Sequence, residues 1–228
     1  MKKLILIIGL FIFFSCNENP ISNSDLEYKY ALAFIIKADS IRQKALLSYI
    51  NDPNEKYSNY PKLIENATFQ VNNVTMEYNP EIDDARFFNI KYFYNYYSDR
   101  IDVRSTDTFL LQIYSEKLNV HGQTVLPGDF NIIVQNKSVR WTKSKNAYSY
   151  LIVINNLSEN KIIMKSTKEL GINLNSDEFS KGLYEIEINA YDKNYFNYIE
   201  NKDDPSGITG AYGVFGSVRT KRIVVNIE

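Results

Sequence analysis

The chain has 228 residues, 26 basic and 27 acidic side chains, a formal charge of −1 and 44% apolar residues. It is long and apolar enough for one large or two small cores, and it lacks the basic excess that a nucleic-acid surface needs. Cys16 is the single cysteine, so no intramolecular disulfide can form and the fold is expected to rest on packing.

Met1-Lys2-Lys3 opens the chain with two cations, and residues 4–14 form an apolar run broken only by Gly9. Such a run has the length of a secretory h-region and is shorter than the about 20 apolar residues that span a bilayer. It ends Phe13-Phe14-Ser15-Cys16. A small residue and then a cysteine, directly after the h-region, resemble the lipobox of bacterial lipoproteins, with Phe13 where that family prefers Leu. The resemblance implies a signal peptide over 1–15, diacylglycerol on the Cys16 thiol and an acylated new N-terminus. The expected mature chain has 228 − 15 = 213 residues. At about 0.8 kcal/mol per buried methylene, one acyl chain holds reversibly, whereas two or three hold for good. Residues 16–26 read as a lipidated, flexible tether, polar with one proline. Asn17 is not the aspartate that favours inner-membrane retention in many lipoproteins, so the resemblance implies the outer membrane.

The tether is followed by strand signals, in keeping with 18 Tyr and 13 Phe. Residues 28–38 form a long apolar stretch, and 45–50 a second, with a short helix over 40–47 as the competing reading. Asn51-Asp52-Pro53-Asn54 is a turn signal. From 67 the chain alternates, Ala67, Phe69 and Val71 against Thr68, Gln70 and Asn72, which is the period of a half-buried strand. Asn72-Asn73 suits a tight turn. Residues 87–97 are the most aromatic stretch, and 109–114 and 118–125 complete a first group. Pro127-Gly128 then punctuates the chain. A second group follows at 131–134, 138–142, 149–155, 161–165, 183–191 and 218–227. Short, regularly spaced strands predict an all-β fold. The expected organisation is two β-sandwich modules, 27–127 and 128–228, divided near Pro127.

Two resemblances carry this further. Val139-Arg140-Trp141, followed by Ala147-Tyr148-Ser149-Tyr150, is similar to the early strands of a fibronectin type III module, where a core Trp precedes an A-x-x-Y strand. Tyr184, Ile186, Ile188 and Ala190 match that family's later strand, whose Tyr closes a corner of the sandwich. The expected modules are therefore immunoglobulin- or fibronectin III-like, a fold that by itself implies no activity. The mature chain also resembles lipoproteins of the domain-of-unknown-function 4249 family. Three stretches carry it: residues 63–71, the hairpin of 108–113 with 120–127, and the glycine-rich segment 207–217. Ala211 stands where that family usually has Gly. Such lipoproteins are associated with outer-membrane uptake systems.

Few residues suit catalysis. Gly207, Gly210, Gly213 and Gly216 recur every third position, but no Lys-Ser/Thr pair opens a helix after them, as a phosphate loop requires. They read as a loop of closely packed backbone with positive φ. His121, the single histidine, reads as a turn residue, and no serine stands in a nucleophile elbow. A zinc site would lack companion ligands. Asp83-Asp84 and Asp203-Asp204 read as solvated loop carboxylates; clustered in one pocket, they could serve a hydrolase. No cofactor or metal site is expected. The expected role is binding at the outer membrane, to a membrane protein, a glycan or a peptide, with Phe88, Tyr92, Tyr94, Tyr96, Tyr97, Tyr212 and Phe215 as candidate contacts, since such rings pair an apolar face with a polar tip. A hydrolase and a purely structural spacer are the alternatives.

Overall fold

The computed structural model describes residues 29–50, 62–84, 91–135, 138–159, 161–174 and 179–227. The signal segment, Cys16 with its tether, Asn51 to Asn54 and Phe88 lie outside the described residues. The first strands are β1 (Tyr30–Lys37), β2 (Gln43–Tyr49), β3 (Lys62–Leu63), β4 (Thr68–Val71), β5 (Val74–Thr75), β6 (Glu77–Asp84), β7 (Lys91–Ser98), β8 (Thr108–Tyr114) and β9 (Asn119–Val125). Then come β10 (Ile132–Gln135), β11 (Ser138–Trp141), β12 (Ser149–Asn156), β13 (Lys161–Thr167), β14 (Gly171–Asn173) and β15 (Gly182–Tyr191). A single helical turn, α1 (Lys193–Phe196), runs into a π-helical turn at Asn197–Asn201, ahead of β16 (Ile208–Thr209) and β17 (Tyr212–Ile227). The all-β expectation holds. The competing helix over 40–47 does not form, because Gln43, Ala45 and Leu47 alternate into the core and pair with neighbouring strands.

Among the described residues, three sheets form two sandwiches. A nine-stranded sheet runs β13-β12-β15-β17-β1-β2-β7-β6, with β3 added on β2. Its β1-β2-β7-β6 part faces the five-stranded sheet β16-β9-β8-β4-β5 across a first core built on Phe34, Phe69, Phe109, Tyr96 and Phe215. Its β13-β12-β15-β17 part faces the three-stranded sheet β10-β11-β14 across a second core built on Trp141, Tyr150, Ile186 and Ile188. Asn72 and Asn73 take positive φ, 47° and 65°, in the β4–β5 hairpin, as a mirror-image hairpin turn requires.

The second sandwich has the expected fibronectin III features. Trp141 packs on Tyr150 with ring centroids 5.5 Å apart. The Tyr184 hydroxyl donates to the Ser180 carbonyl at 2.9 Å and so closes the corner. The expected cut near Pro127 does not separate the sheets. Strand β17 runs parallel to β1 from Ala31↔Tyr212 to Lys37↔Val218, then antiparallel to β15 from Tyr191↔Val218 to Gly182↔Ile227. Ile208, Ala211 and Phe215 belong to the first core. The first sandwich is therefore completed by residues 208–215, more than 80 positions after β9 ends at Val125, and one strand about 50 Å long serves both sandwiches.

Candidate functional site

Strand β7 carries most of the sequence-predicted residues, and its geometry turns on Asn95. This residue is fully buried. Its Oδ1 accepts from the Leu47 N–H at 2.8 Å, and its Nδ2 donates to the carbonyls of Leu47 at 2.8 Å and Ile64 at 3.1 Å. A side-chain amide thus stands in for backbone between β2 and β7, and strict alternation is interrupted there. Tyr96 faces the core, packed on Phe69, and its hydroxyl donates to the Glu65 carbonyl at 3.0 Å. Tyr94 and Tyr97 both lie on the opposite side, with Lys44.

On that outward side, charges and rings interlock. Lys44 Nζ lies 2.8 Å from both Glu81 Oε2 and Asp83 Oδ2 and 5.7 Å from the Tyr94 ring centroid. Arg42 pairs with Glu81 at 3.0 Å and stacks 3.8 Å from the Tyr97 ring centroid. The Tyr97 hydroxyl donates to Glu77 at 2.9 Å. Tyr92 sits beside Tyr94, ring centroids 6.4 Å apart, and is 47% exposed. Burial lowers the Lys44 pKa, but hydrogen bonds and charge from Asp83 and Glu81 outweigh it and leave the pKa raised.

The helical excursion after β15 borders this face. Asp192 caps α1: its Oδ1 accepts from the N–H groups of Tyr195 at 3.0 Å and Ser217 at 3.1 Å, and its Oδ2 accepts from the Thr124 hydroxyl at 2.7 Å. Tyr195 lies over Gly216, where a Cβ would come within 2.9 Å of the Tyr195 Cβ. Burial, then the phenols of Tyr92, Tyr191, Tyr94 and Tyr198, push the Tyr195 hydroxyl up to about 12. Burial, then Asp83 and Tyr92, push Tyr94 up to about 12 as well. Phenols held there are protonated at neutral pH, so they act as hydrogen-bond donors and not as bases.

The expected contacts thus divide. Tyr92, Tyr94 and Tyr97 share the outward face. Tyr96, Tyr212 and Phe215 do not: all three are buried, Phe215 against Phe34 at 5.3 Å between centroids. Residues 212–217, expected as a glycine-rich loop, are strand, and the glycines hide it. The reading of positive φ and close backbone was right, since Gly213 has φ 104° and its Cβ would fall on the Leu32 carbonyl. His121 is a mid-strand residue of β9, paired with Gln112 and Thr209, and not a turn residue.

Asp83 and Asp204 do not share a site, and Asp83 is a strand residue of β6 and not a loop carboxylate. Asp83 is tied to Lys44, and Asp204 accepts from the Gly213 N–H. Among the described residues no group of three or more His, Cys, Asp or Glu side chains could hold a metal ion. Arg42, Lys44, Glu81 and Tyr195 belong to the face without any sequence motif that marks them. The alternation of Arg42 with Lys44 was a usable signal; the approach of Tyr195 was not, because it depends on how the helical turn docks.

Fold and site together define an all-β sandwich protein with a tyrosine-rich, charge-bordered sheet face. No protein-family model and no curated protein matches the chain. Among solved structures it is similar to a crystal structure of domains A168-A170 from titin, at 9% identity, covering 86% of this chain and 65% of that chain with a TM-score of 0.22.

Proposed function

We propose that the chain is a non-catalytic, lipid-anchored binding or accessory protein of the cell envelope, held at the outer membrane by lipid on Cys16 and related to the domain-of-unknown-function 4249 lipoproteins. The observation that supports binding is the outward face of β2, β6 and β7. There Tyr92, Tyr94 and Tyr97 present rings within a fixed lattice of Arg42, Lys44, Glu81 and Asp83. A mere spacer would need no such cluster of tyrosines, of which Tyr92 is 47% exposed. Tyr and Arg are also the residues that anchor protein interfaces, because they bring large rigid area together with directional hydrogen bonds. The partner this face suits best is an outer-membrane protein; a glycan or a peptide is the alternative.

The test is a pull-down of the native lipoprotein from detergent-solubilised membranes, with Tyr92→Ala/Tyr97→Ala and Cys16→Ser variants alongside. The expected result is one membrane protein recovered with wild type and lost with the double variant, and a Cys16→Ser protein released from the membrane. Equal recovery with the double variant would move the partner site elsewhere, and a Cys16→Ser protein that stays in the membrane would remove the lipid anchor.

A further inference from the structure

Of the three sheets, the five-stranded one alone is built of strands without a charged residue. The strands read Thr-Phe-Gln-Val (β4), Val-Thr (β5), Thr-Phe-Leu-Leu-Gln-Ile-Tyr (β8), Asn-Val-His-Gly-Gln-Thr-Val (β9) and Ile-Thr (β16). None contains Asp, Glu, Lys or Arg, in a chain with 26 basic and 27 acidic residues. The nine-stranded sheet shows the contrast, with Lys44, Glu81, Asp83, Glu187 and Arg222 in ion pairs on it. Phe69, Leu111, Ile113, Val120 and Ile208 point into the first core, so the alternate residues form the outer face.

Cross-strand register lines these residues up. Thr75 pairs with Gln70, Gln70 with Gln112, Gln112 with His121 and His121 with Thr209. Antiparallel partners share a face, so the five side chains form one row across the whole sheet. At about 4.8 Å between strands the row is about 19 Å long. Leu110 and Tyr114, about half exposed, stand on either side of it as apolar surfaces. Within the described residues, only the Gln70–Thr75 contact, at 3.3 Å, uses a side chain of the row for hydrogen bonding. The amides of Gln112 and the imidazole of His121 keep their donors and acceptors for an external partner.

The composition selects that partner. A nucleic acid or an anionic membrane would need cations to meet its phosphates, and this face has no Lys or Arg. A second copy of the chain or another protein would need an apolar centre, and only Leu110 and Tyr114 are exposed apolar groups. An extended neutral oligosaccharide is matched on each count: no net charge, many hydroxyls that both donate and accept, and C–H faces that pack on an aromatic ring. We infer that the outer face of the five-stranded sheet is a binding platform for a neutral glycan chain, laid across the strands along the Gln70–Gln112–His121 row. This platform is separate from the tyrosine face of β7 and does not depend on the lipid anchor.

Calorimetric titration of the detergent-solubilised full-length protein with cellohexaose, laminarihexaose and maltohexaose tests this, with heparin as the anionic control. At least one neutral hexasaccharide should bind, and raising sodium chloride from about 0.05 to about 0.5 M should change its Kd by less than about twofold, since no charge is screened. Gln112→Ala and Tyr114→Ala should each weaken binding about tenfold through the lost hydrogen bonds and ring contact. Tyr92→Ala should leave it unchanged. Both substituted side chains point to solvent, and an unaltered melting temperature verifies the fold; Gln123→Ala is the second variant should either one unfold. Binding of heparin alone, no heat from any neutral probe, or wild-type affinity in Gln112→Ala and Tyr114→Ala would each overturn the platform, as would a face-to-face dimer dispersed by Gln112→Lys.

Discussion

Two buried polar side chains, Asn95 and Asp192, hold the candidate face in shape. Asn95 satisfies the N–H and carbonyl of Leu47 and the carbonyl of Ile64. Asn95→Ala leaves the Leu47 N–H and the Ile64 carbonyl buried without partners, while the Leu47 carbonyl keeps the Ile64 N–H at 3.2 Å; it is expected to destabilise by roughly 2–4 kcal/mol, read as a lower urea midpoint at unchanged m-value. Asp192 is 4% exposed. Its burial raises the carboxyl pKa above the ordinary 3.8, against the hydrogen bonds from Tyr195, Thr124, Ser217 and Asn194 that lower it. The folded state therefore holds this proton more tightly than the unfolded chain. The contribution to stability is complete below 3.8 and is lost as pH rises through the raised folded value. Asp192→Asn keeps an acceptor for the backbone and has no titration, so it should lose this fall; the check is the wild-type minus variant stability across acid pH by denaturant titration.

At the scale of elements, β17 and its glycines decide whether the two sandwiches form together. Gly213 combines φ 104° with a Cβ position occupied by the Leu32 carbonyl of β1. Gly213→Ala must therefore strain its own backbone and push β1 away, a cost of about 3 kcal/mol or more. Gly128 has no positive φ, and its Cβ would come 3.1 Å from Lys145 Cβ, so Lys145 would have to give by only a few tenths of an ångström. Gly128→Ala should change stability by less than about 1 kcal/mol. Thermal melts of the two variants decide between them. Strand β6 was hard to foresee for a related reason. Pro80 and a register shift between Tyr78 and Glu81 interrupt its pattern, as Pro does on the edge strands where it is tolerated.

For the whole molecule, the shared strand changes what a fragment can do. A fragment of residues 27–127 lacks Ile208, Ala211 and Phe215 from its core and the β17 partner of β1. It should stay unfolded alone, without dispersed amide resonances, and gain them when mixed with residues 128–228. The second core is drawn from residues 130–227, so the C-terminal fragment should melt cooperatively on its own. A folded 27–127 fragment would return the division to Pro127.

Local chemistry made much of this legible from sequence. Alternation placed Phe69, Val71, Tyr184, Ile186 and Ile188 inward, because side chains on a strand have a period of two and only one face meets a core. The Asn72-Asn73 turn followed from residue types that suit that geometry, and the Tyr184 corner from the resemblance to a fibronectin type III strand. The pairing of β1 with β17 was decided only by the tertiary structure, since contacts almost 200 positions apart leave no local pattern. So was the choice of site residues within 87–97: Tyr94, Tyr96 and Tyr97 are alike as residues, and only the Asn95 side chain, bonded across to β2, turns one ring into the core and two toward solvent.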